Sequence, residues 1–150
     1  MRVHGEDVLF MSMKKVTEYV FLWTLGGSIY YFLECIFRGF SHWSMFILGG
    51  ICLCFLWFQG SSVGWEDAMW IQVIRSTVFV VACEFITGII VNKWMRWQVW
   101  DYSDQPYNVF GQICLPFAVL FSGLSVIGIT LSGFLMHKLF LEEKPNYHIL

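Results

Sequence analysis

Charge is what this sequence has least of. Of its 150 residues only 13% are Asp, Glu, Lys or Arg, where a soluble globular domain carries about 25%. Nine basic and eleven acidic side chains cannot coat a water-soluble particle of 17.6 kDa. A cytosolic enzyme and a disordered tail are excluded on that ground. The net charge of −2 and the lack of a basic patch exclude a nucleic-acid partner. What fills the space is apolar: hydrophobic residues make up 57% and aromatics 19%, with a mean hydropathy of +0.62. The bilayer is the expected solvent and the expected partner.

Other absences narrow the reading. No basic n-region or cleavage site opens the chain, where Met1 to Ser12 carries His4, Glu6 and Asp7, so no signal peptide is expected. No Gly-x-x-x-x-Gly-Lys-Ser/Thr string occurs, so any ATPase would be a separate subunit. Cys52-x-Cys54 is not a metal spacing, and His4, His42, His137 and His148 lie far apart, so neither a metal nor another cofactor is expected. Cys35, Cys52, Cys54, Cys83 and Cys114 all fall in or beside apolar stretches, as small buried residues and not as a disulfide framework.

A membrane-spanning helix needs about 20 apolar residues. Four stretches qualify: Val16 to Phe37, Trp43 to Phe58, Met69 to Asn92 and Gln112 to Met136. The second is short and contains glycine, which fits a tilted, shallow or re-entrant segment as well as a crossing. The expected fold is all-α, a polytopic membrane protein of four transmembrane helices, with 1–15 an N-terminal extension, 16–141 a single membrane domain and 142–150 a tail. Arg2, Lys14, Lys15, Lys138 and Lys144 lie on the side of the termini, against Arg38, Lys93 and Arg96 on the other, which places both termini in the cytoplasm.

Two stretches resemble each other. Glu34-Cys35-Ile36-Phe37-Arg38-Gly39 parallels Glu84-Phe85-Ile86-Thr87-Gly88, and Gly49-Gly50-Ile51-Cys52-Leu53 parallels Gly111-Gln112-Ile113-Cys114-Leu115. The expected arrangement is two similar helix pairs, a 2+2 parallel pseudo-repeat.

Ionisable residues within a span cost roughly 2.5–3.5 kcal/mol at mid-depth and call for a reason. Glu18 and Arg75 lie near span starts and are expected to snorkel. Glu34 and Glu84 are harder to excuse. Glu34 and Arg38 are spaced i, i+4 and fit a mutual pair, on a face shared with Gly27, Tyr30 and Tyr31. Thr77, Glu84, Gly88 and Asn92 line a comparable stripe on the third span, with Arg75 on the opposite face. Glu84 then needs a proton, water or a cation from another helix, with Arg38 the obvious candidate. These four, Glu34, Arg38, Glu84 and Asn92, form either a polar staple or a pathway between the halves.

Trp94, Trp97 and Trp100 recur every three residues with Lys93 and Arg96 between them, the pattern of a helix lying along the interface. A turn-rich stretch, Asp104-Gln105-Pro106-Tyr107-Asn108, ends it. An aromatic belt accounts for the tryptophans, Trp43 included. The polar residues nearby suggest a mouth formed by His42, Trp43, Trp100, Asp101, Tyr102, Asn108 and Gln112. Gly128-x-x-x-Ser132 is a small-xxx-small helix contact. Because four spans enclose little of a pore, a homodimer or another partner is expected.

Gly26-Gly27, Tyr30-Tyr31, Glu34, Arg38-Gly39, His42-Trp43-Ser44-Met45-Phe46 and Gly49-Gly50 resemble the first half of the bacterial ABC-transporter type IV family of small permease-like membrane proteins. Its second half resembles Glu84-Phe85-Ile86-Thr87-Gly88, Asn92, Trp100-Asp101-Tyr102-Ser103, Pro106, Asn108 and Gly111-Gln112-Ile113-Cys114-Leu115-Pro116-Phe117. The resemblance runs from about Lys14 to Lys144 and implies a permease-like component in the bacterial cell membrane, without naming a substrate. The readings it leaves are a transporter component, a non-transporting scaffold or accessory subunit, and an intramembrane enzyme on a lipid substrate with Glu84 and Asp101 as acid and base. The third lacks a nucleophile–base pair or metal cluster.

Overall fold

The computed structural model describes residues 2–63 and 65–149, with side chains from residue 8 onward. Arg2, His4, Glu6 and Asp7 of the expected N-terminal extension lie outside the described side chains. Four helices are long and apolar enough to cross a membrane, and among the described residues no strand forms. They are α1 (Arg2–Arg38), α2 (Trp43–Val63), α3 (Met69–Gly88) and α4 (Leu115–Phe140), and α3 continues as a π-helix over Ile89–Trp94.

Their boundaries have local causes. Gly39, at φ +80°, stops α1. His42 opens α2: its carbonyl accepts from the Met45 N–H (2.9 Å) and its ring Nδ1 from the Ser44 N–H (3.2 Å). Pro116 lies in the first turn of α4, where its missing N–H costs nothing. Leu141, in the left-handed region, ends that helix.

The second span is a full helix of 21 residues, about 31 Å long, and it matches a hydrocarbon core of about 30 Å. It is also the most enclosed of the four. The glycines that made it look weak are why: a Cβ on Gly49 would run into Tyr30 and the Gly26 carbonyl, and one on Gly26 into the Gly49 carbonyl and Leu53. The two helices therefore approach backbone to backbone. Trp23, T-shaped against Phe46 at 5.0 Å, extends the seam.

The core runs from Leu22 through Met45, Leu48, Leu53 and Trp57 to Ile129 and Met136. Beneath it the chain folds back on itself. The Met69 N–H donates to the His148 carbonyl (2.7 Å), Tyr147 reaches the Ile129 carbonyl (3.2 Å), and Trp65 meets Tyr147 edge-on at 5.5 Å. Partial burial lifts the Tyr147 phenol to about 12, so it remains a donor.

Two expectations change. Glu18 does not snorkel: it is fully buried, held by Lys15 (3.0 Å) and Lys14 (3.6 Å), both of which also bind Glu142 of the tail. Arg75 pairs with Asp67 of the preceding loop at 2.8 Å. No interfacial tryptophan helix forms. Arg96 and Gln98 adopt φ of 58° and 51°, which breaks the helical path, so Trp94 and Trp97 are exposed while Trp100 is buried.

Candidate functional site

The third helix turns its polar side inward. Its buried residues are Gln72, Ser76, Val80, Glu84 and Gly88, spaced four apart, whereas Trp70, Ile74, Val78 and Ile86 are exposed. In water that pattern would be inverted; in a bilayer the apolar face meets lipid and the polar face must find partners inside. Glu84 is 1% exposed. Its Oε1 accepts from the Tyr102 hydroxyl at 3.2 Å, and its Oε2 has no partner among the described residues.

Arg38 does not reach Glu84 as its partner. The guanidinium binds Glu34 (2.8 Å), one turn back on α1, and also donates to the Val99 carbonyl. Ser41 donates to the other oxygen of Glu34 (2.7 Å). Glu34 is thereby satisfied on both oxygens, while Glu84 is satisfied on one. Tyr102 lies within electrostatic range of Glu34, Arg38 and Glu84, and Tyr30 of both carboxylates. Tyr102 is fixed in turn by a stack on Phe117 (4.5 Å, 20°) and by donating its N–H to the Gly111 carbonyl.

Asn92 belongs to a different task. The π-helix widens α3 after Gly88, and Asn92, buried there, accepts from the Val99 N–H (2.6 Å) and donates to Gln112 (2.8 Å). Trp100 closes the arrangement by donating its indole N–H to the Gln112 carbonyl (3.0 Å). Its ring lies so near Gly88 that a Cβ there would touch both Trp100 and Gln112.

The remaining expected mouth residues also serve the loop. Asp101 is exposed and accepts from the Ser103 hydroxyl and N–H; those bonds hold its carboxyl below its usual range. Asn108 donates to the Ser103 and Gln105 carbonyls and accepts from the Gly111 N–H. Gly111 is at φ +69°, and a Cβ would strike Asp101 and Ser103. His42 and Trp43 cluster with Trp97, ring centroids 5.2–5.7 Å apart, at the exposed rim. Residues 95–114 thus form a cross-linked cap over Glu34 and Glu84. Asp101 and Glu84 do not face one another as an acid–base pair: Asp101 turns to Ser103 and Glu84 to Tyr102.

Sequence reading missed a second polar group. Gln59 of α2, 2% exposed, donates to Ser76 and to the Gln72 carbonyl. Gln72 donates to the Asp67 carbonyl (2.8 Å). The Oε1 atoms of Gln59 and Gln72 and the Oγ of Ser125 have no partner among the described residues. The spacing of Gln72, Ser76 and Glu84 at multiples of four was a signal, since it puts all three on one helix face.

Four apolar spans around a polar interior define an integral, multi-pass membrane protein. The sequence model of the family described as putative ABC-transporter type IV matches residues 8–149. The chain belongs to that family. No curated protein and no solved structure matches it.

Proposed function

We propose that the protein is a permease-like component that moves a small solute or ion through the polar site around Glu34 and Glu84. The observation that carries this reading is Glu84: a carboxyl held on one oxygen by Tyr102, without a partner on the other, inside the bundle. An intramembrane carboxylate is by default a candidate for an ion or proton pathway. The family's description points the same way. The chain has no nucleotide-binding string, so energy from ATP would come from a separate subunit. We place the protein in a bacterial cell membrane with both termini cytoplasmic, work it as a homo-oligomer, and treat its halves as a 2+2 parallel pseudo-repeat.

The alternative is a non-transporting scaffold or accessory subunit. The closed Glu34–Arg38–Ser41 cluster favours it for that part of the site, since both oxygens of Glu34 are satisfied and Arg38 clips the Val99 carbonyl. The division between the readings is therefore at Glu84. Purified protein in liposomes is expected to carry a flux that Glu84→Gln abolishes, with the melting temperature retained. A variant that melts differently yet leaves every flux unchanged would assign Glu84 to the scaffold.

A further inference from the structure

The inward face of α3 holds more than Glu84. Gln72 and Ser76 stand on the same buried stripe, Gln59 joins them from α2, and Ser125 faces in from α4. Four oxygens of this set, on Gln59, Gln72, Glu84 and Ser125, have no partner among the described residues. Buried polar atoms of this kind are ordinarily satisfied by internal water. From Gln72 to Glu84 the stripe spans twelve residues, about 18 Å of helix. At one end stands the Asp67–Arg75 pair and at the other the Glu34–Arg38 pair.

The stripe is interrupted once, at Val80. Val80 and Ser125 line a common cavity of about 130 Å³, whose other walls include Gly26, Tyr30, Leu53 and Phe121. That space opens at the outer face beside the exposed Ile127, and its walls are apolar apart from the Ser125 hydroxyl and the Tyr30 ring. A chamber of this character excludes water until it is made more polar or wider, and hydrophobic constrictions gate conduction by dewetting.

We propose that the species carried is the proton, relayed along a water-bearing file of Gln72, Gln59, Ser76, Ser125 and Glu84, with Val80 as its hydrophobic gate. This rests on the transport reading and specifies it. Glu84 is the one group of the file that takes up and releases a proton, and amide and hydroxyl oxygens hold the waters on either side. A larger solute does not suit the file, because Val80 interrupts the polar track on α3 among the described residues.

The test uses the full chain in liposomes loaded with the pH dye pyranine, driven by a potassium diffusion potential set with valinomycin. Wild type is expected to acidify the lumen above the rate of protein-free vesicles. Val80→Ser should raise that rate several-fold, Val80→Phe should lower it, and Glu84→Gln should return it to background. If both Val80 variants match wild type while Glu84→Gln still abolishes proton flux, the gated file is wrong and Glu84 transport stands. If the vesicles take up sodium tracer in a Glu84-dependent manner and no protons, the proton is wrong and transport again stands. If no flux of either kind exceeds background, both fail. Should Glu84→Gln not fold, the opposed responses of the two Val80 variants decide the matter.

Discussion

Asn92 sits one turn beyond Gly88, where α3 has widened into the π-helix, and its amide joins three residues of the cap. The Val99 N–H donates to it at 2.6 Å, the Trp100 N–H at 3.4 Å, and it donates to Gln112. Removing the acceptor strands buried donors, each at a cost of about 1–3 kcal/mol. Asn92→Ala is therefore expected to lower the melting temperature in detergent by several degrees and to shift Trp100 emission to the red as the ring meets water. Asn92→Asp keeps the acceptor and should lose less. Equal melting of wild type and Asn92→Ala would show that the cap does not depend on this amide. The residue was legible as a buried polar position on a helical stripe; its partners were not, because they are set by a π-turn and by positive φ at Arg96 and Gln98, for which the sequence offers no glycine.

Among the elements, lengths were readable and relations between them only partly so. Twenty apolar residues in a row announce a span whatever they pack against, and all four spans are present. The rank order of the spans misled, because glycine lowers both hydropathy and helix propensity while permitting the closest packing. Gly26 and Gly49 are the case in point, and the seam they form decides how α1 lies on α2. Gly49→Val pushes a branched side chain into Tyr30 and the opposing backbone, and overpacking of this kind costs about 1–3 kcal/mol or more. The expected result is a large loss of thermal stability or failure to fold. Gly123→Ala is the matched control: nothing lies within 4 Å of its Cβ, so melting should stay the same or rise slightly through better helix propensity. Similar losses in both variants would mean that the seam is not what makes glycine necessary at residue 49. The tryptophan triplet went wrong for a related reason. A three-residue spacing suits a helix face, but the backbone leaves the helix at Met95, and the ring that ends up buried, Trp100, is selected by the space over Gly88.

At the scale of the whole molecule, the first helix and the C-terminal tail are tied together. Lys14 and Lys15 of α1 share Glu142 of the tail (2.6 and 3.1 Å) and Glu18 beneath it, while His137 approaches the Glu142 carbonyl at 2.8 Å. Partial burial pushes the Glu142 carboxyl up, but hydrogen bonds and charge from Lys14 and Lys15 prevail and hold it at about 2, below its ordinary 4.5. A carboxyl lowered on folding contributes its stabilisation in full above its unfolded value and loses it as pH falls through the folded one. The clasp should thus be intact at pH 6 and weaken between about pH 4.5 and 2. Comparing Glu142→Gln with wild type isolates this group from the other carboxylates. The variant should melt earlier at pH 6, and the gap between the two proteins should close as pH approaches 2. A gap that is constant from pH 6 to 2 would mean that the Glu142 charge does not hold the tail. The tail carries Tyr147 against Ile129 and His148 onto the first N–H of α3, the end at which the Gln72 stripe begins. Loosening the clasp should therefore also speed proteolysis of residues 142–149 at pH 6 in Glu142→Gln, and leave the cap over Glu84, at the far end of α3, protected.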